Sequence, residues 1–121
     1  FLFLENDDLC KRIKTAGNKI YVIKNAFIDH KGFSSSTKID KEELEQLRNW
    51  HWMWSKFYFN KKHFGFLQAF ISVLPSFLSS IIKVLIFTLL FNKKKRKIYQ
   101  FRFYGILNSI MGKNSWYRIK D

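Results

Sequence analysis

Residues 64–91 are almost wholly apolar, interrupted by Gln68, Pro75 and Lys83. A helix needs roughly 20 apolar residues to cross a bilayer, so this stretch is long enough either to span a membrane or to form the centre of a bundle. Pro75 has no N–H to donate, which predicts a break or kink into two pieces, each shorter than a comfortable span. Basic clusters flank the stretch on both sides, Lys61-Lys62 before it and the Lys-Lys-Lys-Arg-Lys run of residues 93–97 after it. The positive-inside tendency disfavours placing two such clusters on opposite sides of a membrane. In-plane or re-entrant helices on the cytoplasmic face are therefore expected in preference to one clean crossing.

The charge distribution supports that division. Residues 1–45 contain 8 basic and 8 acidic side chains, whereas residues 46–121 contain the other 14 basic side chains and one acid, Asp121. The whole net charge of +13 thus lies in the second segment. A surface so basic suits a polyanion, either nucleic-acid phosphate or anionic lipid headgroups. The apolar stretch inside the basic half favours lipid, because a soluble nucleic-acid binder would have to bury it. The chain length of 121 residues is room for one small domain. The opening Phe1-Leu2-Phe3-Leu4 reads as a buried strand cut mid-element, and hence the chain as a piece of a larger protein. A single Cys10 leaves no internal disulfide framework and no multi-cysteine zinc site; it reads as a small buried hydrophobe on a helix face.

Local signals divide the chain further. Acidic residues at 5, 7 and 8 favour a helix start. Leu9, Ile13 and Ala16 recur at helical spacing, and Gly17 is a good stop. Residues 19–25 are rich in β-branched and aromatic side chains and predict a strand, followed by an extended piece at 26–28 and a Gly- and Ser-rich loop at 30–36. From Asp40, a candidate cap, the pattern is helical again. It predicts one helix to about residue 60, with Trp50, Trp52 and Trp54 crowded on its apolar stripe. These tryptophans read as core or as an interfacial belt rather than as a sugar-stacking platform. Mostly helical structure is expected to about residue 110.

The segment Glu5-Asn6-Asp7-Asp8-Leu9-Cys10-Lys11-Arg12 resembles the E-D-x-D-L-C-x-R segment of family-2 inverting glycosyltransferases. The likeness continues through Ala16-Gly17-Asn18-Lys19-Ile20 and His30-Lys31-Gly32 with Ser34 to Ser36, in the family's order and spacing, and covers about the first third of the chain. Looser matches to rhamnosyltransferase-like members follow at Arg48-Asn49, at Arg102 with residues 104–107, and at Gly112-Lys113. The resemblance implies an α/β fold. Residues 1–39 would close the sheet of a GT-A catalytic domain, residues 40–63 would form an aromatic-rich amphipathic helix, and residues 64–121 an apolar and basic membrane-associated helical tail.

It also implies a chemistry. An inverting transfer needs a carboxylate to take the proton of the attacking acceptor hydroxyl and positive charge on the departing nucleotide diphosphate, usually a divalent metal. The position matching the family's base is Asn6, whose amide cannot accept that proton. Asp7 or Glu5 takes the role, or the register is shifted by one, or activity has been lost. Asp8 is expected to be structural, capping the helix or pairing with Arg12 one turn on. His30 is the expected ligand for Mn or Mg, with the D-x-D-like ligands outside this chain. Arg48 and Asn49 are candidate acceptor contacts. The implied partners are a nucleotide-sugar donor, a glycan or lipid-linked acceptor and an anionic membrane surface, with no nucleic acid. The implied setting is cell-surface polysaccharide synthesis at the cytoplasmic face of the membrane, and the piece alone is expected to be inactive. The competing readings are a small basic membrane protein without catalysis and a nucleic-acid-binding module.

Overall fold

The computed structural model of the chain describes residues 3–29 and 40–118. Among these it contains four helices and no strand: α1 (Glu5–Thr15), α2 (Lys41–Phe64), α3 (Phe66–Leu89) and α4 (Lys93–Ile110). The expected closing part of a GT-A sheet is therefore not present, and the described fold is all-α. Residues 18–29 are irregular and exposed, with a turn at Lys24-Asn25. Val22, Phe27 and Ile28 are 90%, 91% and 91% exposed. Their composition is strand-like, but β-propensity is expressed through pairing and burial, and no neighbouring strand is there to supply either.

The helices α2, α3 and α4 form the body. Gly65 alone joins α2 to α3; its φ of +86° is costly for any residue with a Cβ. The α3–α4 corner takes three residues, 90–92, with Asn92 capping α4 by accepting the Lys95 N–H at 3.0 Å. Two tight reversals leave α3 antiparallel to both neighbours and α2 parallel to α4. Contacts in register record the latter: Asn49 with Arg102, Trp50 with Gly105, and Trp54 with Ser109. The helix from Asp40 runs to Phe64, although the Asp40 side chain makes no cap hydrogen bond. Pro75 does not divide the apolar stretch; α3 is continuous through it. One helix-internal proline removes a single N–H and crowds one carbonyl, and the flanking turns, packed against two helices, hold the backbone in place.

The core is small: Met53 and Phe57 of α2, Ala69 and Val73 of α3 and Ile106 of α4, with Phe77 and Ile110 against it. The α2–α4 seam is tighter still. A Cβ on Gly105 would collide with the Trp50 carbonyl, and the Trp50 backbone carbon lies only 3.1 Å from that position. Beyond α4 the chain turns at Gly112 (φ +70°) and folds back over α2 as a strap. Trp54 Nε1 donates to the Lys113 carbonyl (3.0 Å), and Trp116 Nε1 donates to Asn108 Oδ1 (3.1 Å). His51 is clamped between the strap's Tyr117 carbonyl (2.8 Å from Nε2) and Ser115 Oγ (2.9 Å from Nδ1). The carbonyl can only accept, so Nε2 carries the proton and Nδ1 accepts from the serine. Burial holds the His51 pKa below its ordinary value, against the bond to Tyr117, which raises it; the Arg118 charge adds to the lowering.

Candidate functional site

Helix α1 begins with Glu5, Asp7 and Asp8 in its first turn. It ends in a Schellman turn, in which the Gly17 N–H meets the Lys14 carbonyl (3.0 Å) and the Asn18 N–H that of Ile13 (3.1 Å). The apolar face expected to dock this helix does not do so: Leu9 and Cys10 are exposed. What α1 buries is a charge. Asp8, 4% exposed, receives Lys62 Nζ at 2.7 Å on one carboxylate oxygen and 2.9 Å on the other, His63 Nε2 at 2.7 Å and Arg12 Nε at 3.0 Å. The Lys62 hydrogen bond above all, with His63 and Arg12, holds the Asp8 pKa at about 2 against the opposing effect of burial. Phe3 meets Trp52 edge-on (5.6 Å), and Lys11 Nζ sits 3.5 Å over the Phe64 ring. Helix α1 is thus fastened along the carboxy-terminal half of α2 by one ionic knot and two aromatic contacts.

The expected site residues separate. Asp8 and Arg12 pair as anticipated; Lys62 and His63 join them from more than fifty positions along the chain, with no sequence signal to announce it. Glu5 and Asp7 are exposed on the first turn of α1. Asn49 is engaged within the bundle: its amide donates to the Glu45 carbonyl (2.7 Å) and its oxygen accepts from Arg102 Nε (2.7 Å). Arg48 is exposed beside it. His30 lies outside the described residues. Among those described, no three His, Cys, Asp or Glu side chains converge to hold a metal ion. The Asp8 carboxylate, the most buried acid, already faces two lysine- and arginine-type cations and a histidine. Of the tryptophans, Trp50 and Trp54 belong to the packed seam and cannot reach a headgroup layer; Trp52 and Trp116 are exposed.

The third feature is α3 itself. Its larger apolar side chains Leu67, Ile71, Leu78, Ile82, Leu85 and Leu89 are exposed, in a stripe of helical spacing along its whole length. The face toward α2 and α4 buries Ala69, Val73 and Ser80 fully and adds aromatic contacts to α4, Phe77 stacking on Phe103 (5.0 Å) and Phe87 on Tyr99 (5.6 Å). The hydroxyls of Ser72, Ser80 and Thr88 are satisfied within the helix, by the carbonyls of Ala69, Ser76 and Val84, each at 2.7 Å. Only 11% of the most apolar 18-residue window of α3 is buried inside the protein. No family model, curated protein or solved structure matches the chain.

Proposed function

We propose that this chain is the membrane-docking helical segment of a glycosyltransferase, holding the enzyme on the cytoplasmic leaflet where a lipid-linked acceptor is presented. The exposed apolar stripe of α3 carries the docking part of this reading. In water a helix turns most of its large apolar residues inward; α3 leaves Leu67, Ile71, Leu78, Ile82, Leu85 and Leu89 outside in a continuous greasy stripe, and such a stripe marks an interaction surface. Helices α2 and α4 lie along α3; α2 carries charges of both signs and α4 is strongly basic, so a perpendicular crossing would drag their charges through the hydrocarbon. An in-plane setting buries the stripe and keeps both neighbours at the headgroup level. Residues 93–97 add to this. Five cations sit at the start of α4, at the positive end of its dipole, which is unfavourable without a nearby anion. Glu42 meets Lys94 at 3.7 Å; an anionic leaflet would serve the rest, each contributing about 1 kcal/mol.

The transferase part rests on the run Glu5 to Arg12. Asp8 and Arg12 are tied into the ionic knot, which leaves Glu5 and Asp7 as the exposed carboxylates able to take a proton. The all-α fold and the engagement of Asp8 favour a second reading, a basic membrane protein without catalysis. Two measurements separate the readings. Vesicle sedimentation is expected to show the chain on anionic vesicles, more weakly when residues 93–97 become Gln; a chain that stays soluble without detergent and ignores vesicles at low salt overturns the docking. Sugar transfer by the intact enzyme is expected to fall at least about a hundredfold in Asp7→Asn or Glu5→Gln. Parental rates in both variants would remove the catalytic part and leave the docking.

A further inference from the structure

We infer that the cleft between the last turns of α2 and the strap after α4 binds the phosphate monoester headgroup of a lipid. The inference rests on the membrane reading of α3. The cleft has a volume of about 550 Å³ and is lined by Lys61, Lys62 and Lys113 together with Tyr58 and Asn114, with no acidic residue in its wall. Lys62 is held by Asp8. Among the described residues no carboxylate pairs with Lys61 or Lys113. Lys61 and Lys113 thus line one concavity without a carboxylate partner, Lys61 Nζ also lying 5.9 Å from the centre of the Phe66 ring, and two cations so placed are stabilised by an anion between them.

The site is pre-organised on one side. The Lys113 N–H is bonded to the Asn108 carbonyl (2.9 Å) and its carbonyl accepts from Trp54 Nε1 (3.0 Å), so its backbone is fixed at both ends of the residue. Trp54 and Tyr58 stack at 4.9 Å along the cleft and give it an apolar, rigid wall. The cleft also adjoins the greasy stripe. Phe57, in its floor, meets the first residue of α3, Phe66, edge-on at 5.7 Å, and Leu67 beside it is exposed. A lipid with its phosphate on Lys61 and Lys113 can lay its chains along α3 from that end, which a soluble phosphate has no means to exploit.

The test uses the full chain and vesicles of phosphatidylcholine doped with phosphatidic acid or phosphatidylglycerol, matched in surface charge. The parent is expected to prefer the phosphatidic acid vesicles by at least about fivefold, the worth of one good lysine contact. The double variant Lys61→Gln/Lys113→Gln is expected to lose that preference, and Lys61→Arg/Lys113→Arg to keep it. Lys94→Gln/Lys95→Gln is expected to weaken both vesicle types alike while the preference survives. No preference in the parent, or its equal loss in the Lys94/Lys95 variant, overturns the headgroup site while leaving the docking of α3 intact. Binding to neither vesicle type overturns the docking and the site with it. Inorganic phosphate is expected not to displace the chain from phosphatidic acid; displacement that restores the phosphatidylglycerol level overturns the lipid as occupant in favour of a soluble anion.

Discussion

Asp8 shows what a single carboxylate can organise. It is almost fully enclosed, yet charged, because Lys62, His63 and Arg12 together outweigh the penalty of burial. Its pKa is lowered from 3.8 to about 2, so its contribution to docking α1 is fully present above the ordinary value and is lost as pH falls from 3.8 towards 2. The hydrogen-exchange protection of the α1 amides, taken against the intrinsic rate at each pH, is expected to fall across that window, and Asp8→Asn to show the lower protection already at neutral pH. Protection of α1 that is the same in parent and Asp8→Asn would contradict the knot. Gly105 is a second residue with an outsized role. Any Cβ there strikes backbone, which cannot rotate away, so Gly105→Ala must part α2 from α4. A loss of about 1–3 kcal/mol is expected, the usual range for overpacking, read as a lower melting temperature in detergent; an unchanged Tm would mean the seam is looser than described. The Asp8–Arg12 half of the knot was legible as i,i+4 spacing, but nothing in the local sequence pointed to Lys62, His63 or the Gly105 seam.

At the scale of the element, α3 ends in a way its sequence does not advertise. Phe91 occupies the left-handed position (φ +52°) of a Schellman turn, its N–H bonded to Thr88 (3.1 Å) and that of Asn92 to Phe87 (3.0 Å). Glycine is the usual residue there, as at Gly17 and Gly112 in the other two turns of this kind. A phenylalanine in that conformation costs about 1–2 kcal/mol, and in water its exposed ring returns nothing. In the proposed setting the ring enters the lipid. Phe91→Gly is therefore expected to stabilise the detergent-solubilised fold by about 0.5 kcal/mol, once the larger chain entropy of glycine is set against the strain, and yet to weaken vesicle binding. A variant that gains stability and binds vesicles as well as the parent would show that Phe91 does not insert. Pro75 illustrates the same limit of local reading. The proline signal was clear, but α3 runs through it because packing against two neighbours outweighs one missing hydrogen bond.

For the whole molecule, the consequence of a one-residue corner at Gly65 and a three-residue corner at residues 90–92 is that α2, α3 and α4 each pack against the other two, with the greasy stripe of α3 on its outer side. At 1.5 Å per residue α3 is about 36 Å long, enough to cross a bilayer if it stood upright. Its ends decide the matter. In a Cys10→Ser background, Lys61→Cys and Lys93→Cys are expected to react from the same side of sealed vesicles with a membrane-impermeant thiol reagent, since an in-plane helix keeps both flanks in one leaflet. Labelling of one from outside and the other only after permeabilisation would establish a crossing instead.

The sequence alone determined what operates within a turn or in bulk: the helix from Asp40, the glycine stop of α1, the Asp8–Arg12 pair, the length of the apolar stretch and the confinement of the excess positive charge to residues 46–121. Each depends on neighbours within about four positions or on composition, and neither needs a fold to be evaluated. Tertiary structure decided the rest. Residues 19–25 have strand composition without a partner strand, and so are irregular. Cys10 and Leu9, on the expected apolar face, are exposed because an ionic knot rather than a greasy contact docks α1. Which face of α3 is turned outward could not be read from its periodicity. Both stripes are apolar, and which of them meets protein depends on where the corners at Gly65 and Phe91 send α2 and α4.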